Sequence, residues 1–95
     1  MSTTTIQGGL EAQLRRPDPR ERAMAALFLV LEADPRITRV LVDALETEDD
    51  VCVRRVLARS IAARRDAEAR QWLREAAVAH VDPFMRRLAI ECLVA

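Results

Sequence analysis

Asp50-Val-Cys-Val-Arg54-Arg-Val-Leu-Ala-Arg-Ser-Ile61 is one of three copies of a single pattern. Thirty-two residues earlier stands Asp18-Pro-Arg-Glu-Arg22-Ala-Met-Ala-Ala-Leu-Phe-Leu29, and thirty-two residues later Asp82-Pro-Phe-Met-Arg86-Arg-Leu-Ala-Ile-Glu-Cys-Leu93. Asp recurs at 18, 50 and 82, and Arg at 22, 54 and 86. Apolar residues recur at 24, 56 and 88, at 25, 57 and 89, and at 29, 61 and 93. A fixed period of about 20 to 50 residues marks an array of stacked supersecondary units. Each unit is too small to bury its own apolar faces, so neighbours must cover one another.

Local signals divide each unit into two helices. Asp18-Pro19 opens one, with Asp as the cap, Pro at the first helical position and Glu21 completing a capping box. The helix is expected to run to about Leu31, and it is apolar on nearly every side from Ala23 onward, which implies contacts on more than one face. Asp34-Pro35 opens the next, where Ile37, Val40, Leu41, Ala44 and Leu45 follow the 3.6-residue period. From Asp50 the face is Val53, Val56, Leu57, Ser60 and Ile61. Ala69, Trp72, Leu73, Ala76 and Ala77 repeat the plan, and Met85, Leu88, Ala89, Cys92 and Leu93 complete it. Upstream, Leu10 and Leu14 stand on a short helix that ends before Pro17. Residues 1–9 read as a flexible tail, with Gly8-Gly9 breaking local order. The expected boundaries are a tail over 1–9 and a repeat domain over 10–95, with repeats at about 10–31, 35–63 and 67–95.

Composition narrows the class. Apolar residues at 51% and charged residues at 32% describe a globular chain rather than a disordered one. Aromatics at 3% leave the core to Leu, Val, Ile, Met and Ala. The 15 basic residues, all Arg, balance 15 acidic ones, so general affinity for nucleic acid or anionic membranes is not expected. No apolar run approaches the roughly 18 residues of a membrane span. The start of the chain lacks the charged and apolar regions of a signal peptide. Cys52 and Cys92 both fall in helices, which argues against a disulfide framework. A cytoplasmic location is therefore expected.

The unit Asp-Pro-x-x-Arg followed by an apolar residue and Ala resembles the HEAT repeat, most closely the short PBS-lyase HEAT-like form. The matching residues are Asp18-Pro19, Arg22 and Ala25; Asp50, Val53-Arg54 and Leu57; and Asp82-Pro83, Arg86 and Ala89. Glu21 departs from the apolar residue expected before the first Arg. The resemblance implies an all-α fold of three stacked helical hairpins, a short right-handed α-solenoid with the second helices lining its concave side. It also implies protein binding as the default role, as scaffold or adaptor. Some relatives are subunits of bilin lyases. Others bind metal through His-Glu pairs, but here His80 is followed by Val81.

No residues point to catalysis: there is no Gly-rich phosphate loop and no paired acid and base around the lone His80. No cofactor, metal or small-molecule substrate is expected. Arg22, Arg54 and Arg86 read as structural, pairing with an Asp of their own helix start or of a neighbouring repeat. The expected concave face holds Ala23, Ala26, Leu27 and Val30, then Arg55, Ala58, Arg59 and Ala62, then Arg87, Ile90, Glu91 and Val94. Its candidate partner-binding residues are Leu27, Arg55, Arg59, Arg87, Ile90, Glu91 and Val94, which suit an acidic amphipathic helix. Ile90 and Val94 also suggest that a partner or a second copy covers the C-terminal end, giving a homodimer. Residues 32–50 carry net −5 and residues 51–75 net +4, a segregation that either pairs within the chain or drives head-to-tail association. The alternative function is a nucleic-acid or phosphate-binding module using the Arg cluster of residues 54–74, chiefly Arg55, Arg59, Arg64, Arg65, Arg70 and Arg74. The absence of stacking aromatics weighs against it.

Overall fold

In the computed structural model, which describes residues 3–94 and side chains from Gln7, Asp18, Asp50, Asp66 and Asp82 cap the helices they precede, whereas the helix expected to open at Asp34-Pro35 starts at Ile37 without a side-chain cap. Asp18 Oδ1 accepts from the Arg20 N–H, Asp50 Oδ1 from Val53, Asp66 Oδ1 from Ala69 and Asp82 Oδ1 from Phe84. These bonds satisfy N–H groups that a helix start leaves without partners. Among the described residues the chain forms six helices and no strand: α1 (Thr3–Gln13), α2 (Pro19–Leu29), α3 (Ile37–Thr47), α4 (Val51–Arg64), α5 (Ala67–Ala79) and α6 (Pro83–Val94). Glu21 does not close the expected capping box; its carboxylate instead bonds Arg16 Nε at 2.9 Å.

The helices form two rows. Each odd helix packs against the even helix that follows it, and the even helices α2, α4 and α6 stack directly on one another. The odd helices touch more sparingly, so the molecule is tighter along its even-helix side. Leu29, Ile37, Leu41, Leu45, Leu57 and Ile61 fill the space between the rows. On α3 the buried face is rotated from the expected one, with Thr38 and Val42 inside while Val40 and Ala44 are partly buried. Thr38 is accommodated because its hydroxyl donates to Asp66.

The N-terminal segment differs from expectation. The chain is helical from Thr3, across the segment read as a tail; Met1 and Ser2 lie outside the described residues. Gln7 is buried and its amide donates to Asp34 Oδ2 at 2.9 Å, tying α1 to the start of α3. Gly8 and Gly9 face open space, where their cost is the roughly 1 kcal/mol of helix propensity each. At the far end Leu93 is also not buried as expected, since no described helix follows α6.

Arg22, Arg54 and Arg86 share a role that is not the expected pairing with their own Asp. Each guanidinium donates to the carbonyl six residues earlier: Arg22 to Arg16 O (2.8 Å), Arg54 to Glu48 O (2.6 Å) and Arg86 to His80 O (2.6 Å). Each thereby holds the turn that enters its helix. Of the expected ladder to a neighbouring repeat's Asp, one step is present among the described residues, from Arg54, while Arg22 takes a Glu instead. Arg22 bonds both oxygens of Glu48 at 2.8 and 3.0 Å, and Arg54 reaches Asp82 at 3.5 Å. Arg86 makes no ion pair among the described residues.

Glu48 is nearly buried and also accepts from the Asp50 N–H at 3.0 Å. Burial pushes its carboxyl up, but the Arg22 hydrogen bond, the Asp50 N–H and the Arg22 charge outweigh burial and hold it below its ordinary 4.5. Asp66 is lowered as well, its bonds from Thr38 and Ala69 outweighing its burial. A carboxyl that is more acidic folded than unfolded stabilises the fold above its ordinary range, and this contribution disappears as pH falls through the lowered value. Melting temperature is therefore expected to be level from neutral pH down to about 5 and to fall below it. Glu48→Gln should melt lower than wild type at pH 7 and lose less on acidification. Parallel slopes for the two proteins between about pH 3 and 7 would refute this role for Glu48.

Candidate interaction surface

The even helices assign each position a direction, because equivalent residues in α2, α4 and α6 can be compared. Positions 25, 57 and 89 point at the outer row and are buried in all three helices. Positions 27, 59 and 91 (Leu27, Arg59, Glu91) are exposed in all three, so this row faces solvent. Ala23, Arg55 and Arg87 lie beside it, with Arg55 and Arg87 exposed. The structure thus brings Leu27, Arg55, Arg59, Arg87 and Glu91 onto one face. Arg55 lies 3.6 Å from Glu91 and its guanidinium carbon is 5.6 Å from the Phe84 ring centroid, with Arg54 at 5.5 Å from the same ring. The aromatic ring therefore aligns two cations at the edge of the face. Arg59 and Arg87 make no ion pair among the described residues.

Beside Arg59 a hollow of about 580 Å³ opens between α4 and α6, with Ala62, Ala63 and Leu88 as its apolar walls and Glu91 and Cys92 on the α6 side. Burial raises the Cys92 thiol, against a smaller opposing effect of Arg59. Both cysteines are free. A second hollow of about 590 Å³ lies against α1 and α3, but its Arg22 and Glu48 are bonded to each other.

Other expected members of the concave face stand elsewhere. Ala26 and Ala58 are buried between successive even helices, because their row faces the following repeat. Ile90 is the third member of that row, and it and Val94 are exposed on the open side of α6.

The Arg cluster of residues 54–74 is dispersed. Arg64 is nearly buried and donates to the carbonyls of Val30 (3.1 Å), Glu32 and Asp34 (3.0 Å). Arg70 donates to Arg65 O at 2.5 Å, and Arg65 ends α4 in the left-handed conformation at φ 55°. The anchoring role of Arg64 carries no periodic signal in the sequence. Its one local cue is a cation in the last turn of a helix, near carbonyls that need donors. His80 is also structural: Nδ1 accepts from the Asp82 N–H at 3.1 Å, leaving the proton of the neutral ring on Nε2, which faces Glu46 at 3.0 Å. No group of His, Cys, Asp and Glu among the described residues is arranged to hold a metal ion. No described helix is long and apolar enough to cross a membrane.

Helix pairs stacked at a constant 32-residue interval, with the second helices packed on one another, define an α-solenoid of helical repeats. A family model for HEAT repeats matches residues 8–94, and the chain belongs to that family. No curated protein and no solved structure matches it. HEAT repeats are commonly protein-interaction and scaffold modules and are typically not enzymes.

Proposed function

We propose that this chain is a non-catalytic interaction module whose concave even-helix face takes an acidic amphipathic segment of a protein partner. The observation that carries the reading is the exposed pair Arg59 and Arg87, free of ion pairs among the described residues and flanked by exposed Leu27. Buried Arg side chains here are spent on carbonyls and carboxylates, whereas these two present their donors to solvent. A helix laid along the face would set apolar residues against Leu27 and carboxylates against the guanidinium groups. Arg55 and Glu91, already close to one another, sit at its edge and fix orientation.

A displayed library of helical peptides selected on the wild-type chain tests this. Enriched peptides are expected to combine Asp or Glu with apolar residues at i and i+4. Arg59→Glu with Arg87→Glu should weaken them at least about tenfold, since each substitution sets like charges together. Peptides that bind the double variant as tightly as wild type would sink the assignment of this face.

A further inference from the structure

We infer that copies of this chain associate head to tail, the open side of α6 in one copy stacking on the open side of α2 in the next. The even helices supply the reasoning, because their burial runs in opposite directions along the stack. In the row that faces the following repeat, Ala26 and Ala58 are buried and Ile90 is 48% exposed; in the adjoining row Leu29 and Ile61 are buried and Leu93 is 40% exposed. In the row that faces the preceding repeat the order reverses: Leu88 is buried, Val56 is partly buried and Met24 is 49% exposed. Its neighbour behaves alike, with Ser60 buried, Cys92 partly buried and Phe28 52% exposed.

The two bare faces are therefore the two halves of an interface that the chain already makes twice within itself, α2 on α4 and α4 on α6. Apolar side chains occupy both halves. Ile90, Leu93 and Val94 stand on one, and Met24 and Phe28, four residues apart on α2, on the other. Charge gives the same register. Arg54 reaches Asp82 across an internal junction, and in the continued stack Arg86 of one copy and Asp18 of the next occupy those places. Asp18 uses Oδ1 for its cap, and its Oδ2 has no partner among the described residues. A two-fold dimer through α6 alone would leave Met24 and Phe28 bare in both copies. The head-to-tail contact covers them, and because it does not close on itself it produces chains of molecules rather than a fixed dimer.

Self-association is independent of peptide binding on the concave face, since Met24 and Ile90 lie off the row that holds Arg59. Sedimentation equilibrium on wild type, Met24→Glu and Ile90→Glu tests it, at concentrations on the order of 10 µM to 1 mM as befits a small interface. Circular dichroism confirms that both variants fold; neither side chain is buried. Wild type is expected to rise in average mass with concentration past twice its 10.7 kDa. Each variant alone should stay monomeric, and an equimolar mixture should rise to dimer mass and stop there, because one partner keeps its α6 side and the other its α2 side. A wild type that stays monomeric, an M24E protein that still dimerises by itself, or a mixture that stays monomeric each overturns the inference.

Discussion

Arg64→Ala is expected to destabilise the fold by about 3 kcal/mol, lowering the melting temperature by roughly 15 °C in a chain of this length. The side chain is 9% exposed and serves the carbonyls of Val30, Glu32 and Asp34 as well as the Thr38 hydroxyl. Those carbonyls lie in the connection from α2 to α3, where Asp34 O also accepts from the Ile37 N–H at 3.1 Å but Val30 O and Glu32 O have no backbone donor among the described residues. A residue at the end of α4 thus holds a turn about a full repeat earlier in the chain. Alanine would leave several acceptors facing a partly dry space, and water can replace only some of the lost bonds. Arg64→Lys should recover a minor share, because one ammonium cannot span three carbonyls that a planar fork reaches together. Thermal melts followed by circular dichroism decide this. A drop of less than about 3 °C for Arg64→Ala would show that the connection is held by other contacts.

Leu57→Ala is expected to cost about 3 kcal/mol, within the usual range for emptying a core leucine site. Leu57 is 1% exposed and sits where Ala25 and Ala89 stand in the flanking repeats. The middle repeat therefore carries the large side chain of its row, at the helix that contacts α2, α3, α5 and α6. In a stacked array, stability is the sum of weak units and the junctions between them. A cavity in the central helix weakens both junctions at once, so the melt should broaden as well as shift. Leu93→Ala removes the same atoms from a half-open site and should cost under about 1 kcal/mol. Equal losses for the two leucines would mean that the central helix does not couple the repeats.

The period, the capping Asp residues and the heptad-like apolar faces were legible because each is set by chemistry local to a helix. Burial of Ala26 and Ala58 was not. An alanine is at home in water or in a core, and only the stacking of the next helix decides between them. The rows of Arg22, Arg54 and Arg86 could be read, but their acceptors could not. A carbonyl six residues upstream comes within reach only once the turn has its shape. The part of α1 before Leu10 was hidden by Gly8-Gly9, whose poor propensity is outweighed by contacts such as that of Gln7 with Asp34. The exposure of Leu27, Arg55, Arg59, Arg87 and Glu91 was legible, because spacing alone separates the inside from the outside of a helix. Arg64 escaped because nothing equivalent occurs in the other repeats: position 32 is Glu and the pattern has no third member.

The two edges of the stack are joined by different forces, and this gives the molecule an unequal stiffness. Along the even helices the joints are buried alanines and branched apolar residues in close contact, which resist sliding. Between the odd helices α3 and α5, the exposed clasp of Arg39 with Glu68 at 2.9 Å and the contact of His80 with Glu46 at 3.0 Å supplement the bond from Thr38 to Asp66. The inner edge thus acts as a spine and the outer edge as a set of spring clips that dissolved salt loosens. Parting of the odd helices on bending, with the even-helix row keeping its length, is the expected consequence of that asymmetry.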